Sequence, residues 1–207
     1  MKIRSPLIGA LALVGIVCFV YAYTESRKPV PNPDPNHTHA DFAVILNNER
    51  VDFSGEKFMS GSSENLADPA RSKLNQYLHL HDGNGDVMHR HKPELTLGEF
   101  FGTLPGVTYT GTMFSYNDCY PCKKLAIPVK VSLYVNGLEN PNGSAYIFED
   151  GDKVLLTSST DPVDVRQQNE ILSDEACMYS RTCPWKGDPP TENCIADPEI
   201  PCIVPTK

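Results

Sequence analysis

The sequence predicts an α+β fold, in which a mixed sheet is crossed by one main helix. The 18 prolines and 14 glycines among 207 residues favour turns and strands over a helical bundle. Short alternating segments between turn residues predict the strands, and one strongly signalled helix start predicts the crossing helix. Hydrophobic residues make up 40% and charged residues 21%, which excludes a wholly disordered chain and a multi-span membrane protein.

Residues 1–23 predict a signal anchor or a signal peptide. Lys2 and Arg4 form a short basic start, and residues 6–23 are apolar and carry no charge. We favour an uncleaved N-terminal membrane helix over residues 6–23. The protein is then a single-pass cell-membrane protein with its N-terminus inside and residues 24–207 extracytoplasmic. Cleavage after Ala22 would instead give a secreted protein.

Three further regions follow this segment. Residues 24–36 are rich in proline and predict a stiff, extended spacer. Residues 37–160 predict a His-rich domain, and residues 161–207 a helix followed by a Cys-rich, disulfide-rich C-terminal extension. The net charge of -8 argues against a nucleic-acid partner.

The strands of the domain are predicted from alternating segments that flank turn residues. Three hairpins are expected, formed by residues 40–46 with 50–53, 77–81 with 87–91, and 145–148 with 153–157. A further strand is expected over residues 130–135, where it ends at the turn signal Asn136-Gly137.

Three helices are predicted from their N-terminal signals. Asp68-Pro69 and Asp161-Pro162 each combine an N-cap residue with proline at the first helical position, and these helices are expected to run to about residues 75 and 173. Thr96 and Glu99 form a capping box, which predicts a helix that starts at Leu97 and ends near residue 102 or 106.

All six histidines fall into three His-x-His pairs, and this pattern predicts a metal site. The pairs are His37/His39, His79/His81 and His89/His91. Residues two apart in a strand point to the same face, so both rings of a pair can reach one ion. Imidazole ligands suit a transition metal ion, copper or zinc, rather than Ca²⁺ or Mg²⁺. A surface or pH-sensing cluster without metal is the alternative.

The register of one hairpin decides whether the second and third pairs meet. If the turn is centred on Asn84, His79 faces His89, and all four rings lie on one side of the sheet. A slip of one residue would place the two pairs on opposite faces. The same turn, DGNGD at 82–86, resembles the start of an EF-hand Ca²⁺ loop, but the later Gly and Glu of that loop are missing.

The six cysteines beyond Cys18 predict three disulfides in an exported chain. The shortest loops pair Cys119 with Cys122, Cys177 with Cys183, and Cys194 with Cys202. Other connectivities stay open at this point. Cys119 and Cys122 also form a C-x-x-C motif, for which redox activity is an alternative to a structural bridge.

Two resemblances rest on short segments of the chain. The segments are HLH and HRH within 79–91, TLGEFF at 96–101, VNG at 135–137, DGDKVLL at 150–156, and residues 174–184 with their two cysteines. On these segments the chain resembles a group of uncharacterised exported prokaryotic proteins, a likeness that implies no activity. The order of hairpin, helix and strands resembles the β-grasp (ubiquitin-like) fold, with 96–101 as its helix and 146–156 as its final hairpin.

These observations lead to three hypotheses of function. The first is a membrane-anchored extracytoplasmic module that holds or delivers copper or zinc through the six histidines. The second is an extracytoplasmic, hydrolase-like metalloenzyme that uses the same pairs, with Glu94 or Glu99 as a candidate base for a metal-bound water. The third is a surface interaction module in which the histidines bind no metal. No catalytic residue is singled out by the sequence.

Overall fold

The computed structural model describes residues 6–34, 36–117 and 127–188, with side chains described from residue 11 onward. These residues form an α+β domain with a mixed sheet, as the sequence predicts. The helices are α1 (Pro6–Glu25), α2 (Ser63–Leu66), α3 (Pro69–Asn75), α4 (Leu97–Thr103), α5 (Pro162–Glu170) and α6 (Ala176–Tyr179). The strands are β1 (Thr38–Leu46), β2 (Glu49–Arg50), β3 (Leu78–His79), β4 (Val87–Arg90), β5 (Val107–Tyr109), β6 (Met113–Tyr116), β7 (Val129–Lys130), β8 (Ser132–Val135), β9 (Leu138–Glu139) and β10 (Lys153–Thr157).

The main sheet has the strand order β3-β4-β1-β10-β8-β9, and β2 pairs with the end of β1. Strands β1 and β10 are parallel neighbours at its centre, whereas the other pairs are antiparallel. Strands β5, β6 and β7 form a separate antiparallel sheet. The central strand β1 therefore connects the hairpin β3-β4 to the rest of the main sheet.

Strand β1 is buried on both of its faces, and the two faces have different chemistry. Ala40, Phe42 and Val44 point into the main hydrophobic core. There the ring of Phe42 lies edge-on to Phe100 of α4, with 5.3 Å between the ring centres. Aromatic rings supply much of the apolar area of this core, which favours stability.

The opposite face of β1 lies beneath α5 and α6. Ala43 packs with Val165 of α5 in a second hydrophobic cluster. Asp41 is only 2% exposed. Its carboxylate accepts hydrogen bonds from the hydroxyl of Ser173 at 2.6 Å and from the backbone N–H groups of Glu175 at 2.8 Å and Ala176 at 3.2 Å. One buried carboxylate thus attaches the start of α6 to β1.

The predicted helices and the first two hairpins are confirmed. Asp68 and Asp161 cap α3 and α5, and Thr96 and Glu99 form the capping box of α4. Helix α5 ends at Glu170 rather than near residue 173. In the first hairpin the turn residues Asn47 and Asn48 both have positive φ angles, as a two-residue hairpin turn requires.

The third predicted hairpin, 145–148 with 153–157, is wrong in its first strand. Residues 143–145 form a 3₁₀ turn, and β10 pairs instead with β1 on one side and β8 on the other. The segment before β10 is held by Asp152, whose carboxylate accepts bonds from the Tyr146 hydroxyl at 2.6 Å and the Glu149 N–H at 2.7 Å. Burial and this bond raise the pKa of Tyr146, which keeps the hydroxyl protonated as a donor.

The strand predicted over residues 130–135 is divided between two sheets. Lys130 belongs to β7 and pairs with β6, whereas β8 joins the main sheet. Val131, which is 4% exposed, lies at the point of division. A single alternating segment therefore contributes to both sheets.

The membrane helix predicted over residues 6–23 lies within α1. Among the residues that the structure describes, no helix is both long enough and apolar enough to cross a membrane.

We expect Asp41→Ala to lower the free energy of unfolding by about 3 kcal/mol, because three donors lose a buried anionic acceptor. Glu139→Ala, on the exposed strand β9, is the matched control and should change it by less than about 0.5 kcal/mol. Urea denaturation of both variants measures the difference. Equal losses would contradict the assigned role of Asp41.

Candidate metal centre

The three His-x-His pairs lie on three neighbouring strands. His39 lies in β1, His89 in β4 and His79 in β3. The second member of each pair lies just beyond the end of its strand: His37 precedes β1, His91 follows β4, and His81 follows β3. His89 pairs with His39 on one side and with His79 on the other. The predicted register of the hairpin β3-β4 is therefore confirmed, and the β4 pair lies between the other two.

The histidines lie on the face of the sheet that points away from the main core. Successive residues of a strand point to opposite faces. Leu78 and Met88 consequently enter the main core, while their neighbours His79 and His89 point to the other side. His79 is 3% exposed and His89 is fully buried, so this face is covered as well.

The six rings form one continuous cluster of two rows, which we call the histidine cluster. The first row is His37, His91 and His79, and the second row is His39, His89 and His81. The successive distances between ring centres are 4.0 and 4.8 Å in the first row. They are 4.7 and 3.9 Å in the second row. The structure thus brings all six predicted ligands together.

Within the histidine cluster, His37, His39 and His89 form a group that can hold a metal ion. One nitrogen of each ring lies within 4.8 Å of the corresponding nitrogens of the other two. Zinc–imidazole bonds are about 2.0–2.1 Å long, so nitrogens around one tetrahedral ion lie roughly 3.3 Å apart. Small rotations of the rings would close the difference.

The protonation of His39 follows from its hydrogen bonds. Its Nδ1 lies 2.7 Å from the hydroxyl oxygen of Ser180. That hydroxyl donates to the carboxylate of Asp150, so its oxygen accepts from the Nδ1–H of His39. Nε2 then keeps its lone pair, and this atom is buried. The arrangement matches that of metal-binding histidines, which donate their other N–H group to an acceptor.

The same reasoning assigns three more rings. His79 Nδ1 donates to the carbonyl oxygen of Asn75 at 2.9 Å, and His81 Nδ1 donates to the carboxylate of Asp82 at 2.9 Å. When His81 is neutral, its Nε2 accepts the bond of 3.2 Å from His89 Nδ1. In their neutral forms these three rings carry the lone pair on Nε2, the form that binds metal.

Helix α6 and the residues after it cover the second row of the histidine cluster. The Tyr179 ring lies 4.9 Å from His89 and 5.7 Å from His39, measured between ring centres. A disulfide between Cys177 and Cys183 closes the loop that carries Tyr179 and Ser180. One predicted disulfide is therefore confirmed. The predicted bridges Cys119–Cys122 and Cys194–Cys202 lie outside the described residues.

The turn at residues 82–86 maintains the register of the hairpin. Gly83 has a φ of +69°, which other residues rarely adopt. Gly85 packs so closely that a Cβ atom there would lie 2.4 Å from the backbone nitrogen of Ser54. The side-chain oxygen of Asn84 accepts a hydrogen bond from the backbone N–H of Asp86 at 2.9 Å, as turn residues do.

Burial raises the pKa of Asp86, while the charge of Arg50 opposes this shift.

Sequence reasoning did not identify the residues that surround the histidines. Asp150 and Ser180 lie more than one hundred residues from His39 in sequence, and no local pattern links them. The only sequence feature that pointed to this region was the predicted disulfide Cys177–Cys183, because Tyr179 and Ser180 lie between these two cysteines. Glu99, a candidate base, binds Thr96 in the capping box instead.

No protein-family model, curated protein or solved structure matches this chain. The resemblances to an exported prokaryotic group and to the β-grasp fold therefore stay predictions.

We expect Ser180→Ala to weaken metal binding by about 10- to 100-fold, because His39 loses the acceptor that orients its ring. Ser115→Ala, on β6 of the separate sheet, is the matched control and should bind as the unmodified chain does. Competition titration with a chromophoric zinc chelator measures both. An unchanged affinity of the Ser180 variant would contradict the role assigned to this hydroxyl.

Proposed function

We propose that the protein is an extracytoplasmic transition-metal-binding module that holds or delivers copper or zinc. The observation that carries the proposal is the group of His37, His39 and His89, whose ligand nitrogens lie within 4.8 Å of one another. The hydrogen bonds around the cluster support it further, because they leave the Nε2 lone pairs of His39 and His89 available to an ion.

The donor set favours transition metals over the alkaline-earth ions. Neutral imidazole is a common ligand of Zn²⁺ and Cu²⁺, whereas Ca²⁺ and Mg²⁺ prefer oxygen. Copper is favoured by its higher affinity for nitrogen sites. Zinc is favoured because it needs no control of redox state.

Burial favours holding the metal over catalysis. His39 and His89 are 1% and 0% exposed, and Tyr179 covers this side of the cluster. More imidazoles surround the group than one ion needs, so they can complete its coordination without an open position for substrate.

A second candidate function is metal-assisted hydrolysis. The group of close ligand nitrogens has three members, and catalytic zinc sites have three protein ligands with water at the fourth position. His37 is only partly buried, which would give that position access to solvent.

The disulfide supports an extracytoplasmic location. Structural disulfides such as Cys177–Cys183 persist in oxidising compartments and are rare in the cytosol. The basic start and the apolar residues 6–23 would direct the export of the chain.

Purified full-length protein should bind Zn²⁺ and Cu²⁺, and the double variant His39→Ala/His89→Ala should lose at least 100-fold in affinity, because two ligands are removed from one ion. Calorimetric titration measures the affinities, and elemental analysis of the protein as isolated identifies the native metal. Cys18→Ser is the control for binding at an exposed thiol. Tight binding that survives in the double variant would contradict the proposal.

Azide titration of the Co²⁺-substituted protein separates the two candidate functions. A closed site should show no change in its visible spectrum, because azide finds no exchangeable water to displace. A saturable spectral change would instead favour the hydrolytic candidate and contradict a holding site.

A further inference from the structure

His81 stands apart from the three histidines whose ligand nitrogens lie close together. Those three, His37, His39 and His89, each have one nitrogen within 4.8 Å of the other two. His81 is joined to one of them from outside this group, since its Nε2 lies 3.2 Å from His89 Nδ1. Its own Nδ1 lies 2.9 Å from the exposed carboxylate of Asp82. His81 therefore lies between a buried candidate ligand and a carboxylate at the surface.

The two hydrogen bonds of His81 run in one direction when its ring is neutral. An ionised carboxylate only accepts, so His81 Nδ1 carries the proton and donates it to Asp82. His81 Nε2 then has the lone pair and accepts the proton of His89 Nδ1. His89 consequently keeps its own lone pair on Nε2, the atom that can bind an ion. The chain Asp82–His81–His89 thus selects one tautomer of a fully buried ring.

The same arrangement is present behind a second candidate ligand. His39 Nδ1 donates to the hydroxyl of Ser180, and that hydroxyl donates to the carboxylate of Asp150. In both chains a neutral group, which accepts one bond and donates another, lies between a candidate ligand ring and a carboxylate. By this likeness His81 serves His89 as Ser180 serves His39, from behind the ring that binds the ion.

Tyr179 fixes the orientation of the two rings in this chain. Its ring lies edge-on to His89 and to His81, at 4.9 and 5.7 Å between ring centres and at angles of 88° and 76°. Its hydroxyl oxygen accepts a bond of 3.1 Å from the side-chain amide of Asn84, in the turn next to His81. The cover and the turn therefore hold both rings in the planes on which their mutual hydrogen bond depends.

We propose that His81 is a positioning residue for the ligand His89 and is not itself a ligand of the bound ion; this inference rests on the proposed metal-binding function. By accepting the Nδ1 proton, His81 orients the His89 ring and makes its Nε2 a stronger base. A metal ion on His81 Nε2 would take the lone pair that His89 needs as its acceptor. Although the sequence predicts six ligands, this histidine acts through its neighbour.

Two amide variants separate the two bonds of His81. A glutamine amide reaches about as far as histidine Nε2, and an asparagine amide about as far as Nδ1. His81→Gln therefore keeps an acceptor for His89, whereas His81→Asn keeps only the donor to Asp82. We expect full-length His81→Asn to bind Zn²⁺ about 10- to 100-fold more weakly than His81→Gln, because His89 has lost the group that orients it. Competition titration with a chromophoric chelator measures both affinities, and circular dichroism verifies that both variants are folded.

The other outcomes of this titration overturn the proposal in different ways. Equal losses in both variants would indicate that His81 binds the ion directly, since neither amide replaces a ligand imidazole. Equal affinities of both variants and the unmodified chain would show that His89 needs no acceptor. Absence of Zn²⁺ binding by the unmodified chain would overturn the proposed function as well.

Nitrogen-15 spectra of the histidines in the unmodified, zinc-loaded chain provide a test that needs no variant. His89 Nε2 should show the chemical shift of a zinc-bound imidazole nitrogen. His81 should show a protonated Nδ1 and an Nε2 that is free of zinc. A zinc-bound nitrogen in His81 would overturn the positioning role without affecting the proposed function.

Discussion

The alternation of side chains along three adjacent strands is the constraint on which the histidine cluster depends. Because His39, His89 and His79 pair across β1, β4 and β3, their side chains share one face. The residues next to these histidines along each strand, Ala40, Met88 and Leu78, point to the other face and belong to the main core. A slip of one residue in β4 would bring His89 into the core and Met88 to the site. Core packing and the positions of the histidines are therefore set by the same register.

The covering segment adds what the strands alone do not provide. Asp41 attaches the start of α6 to β1, and the disulfide closes the loop that follows. Ser180 and Tyr179 are consequently held against His39 and His89. The hydroxyl that orients the His39 ring belongs to a segment distant from it in sequence.

Local chemistry made a large part of this structure predictable from sequence. The capping box at Thr96, the caps at Asp68 and Asp161, and the register about Asn84 depend on interactions within a few residues. The prediction of a strand over 145–148 was wrong because β10 pairs in parallel with β1 instead. Parallel pairing joins segments that are far apart in sequence, so no local pattern reveals it. The contact between Ser180 and His39 was missed for the same reason, since it forms only when the chain is folded.

The firm attachment of α6 has a kinetic consequence for any ion inside. Because this cover is attached to β1 at its start and its loop is closed by a disulfide, the proposed ion would exchange at the more exposed ends of the cluster rather than through the cover. His37 and His81, the two partly exposed rings, stand at opposite corners of the cluster. Under the proposed metal-binding function, an arriving ion would contact these two rings first and pass them last on release.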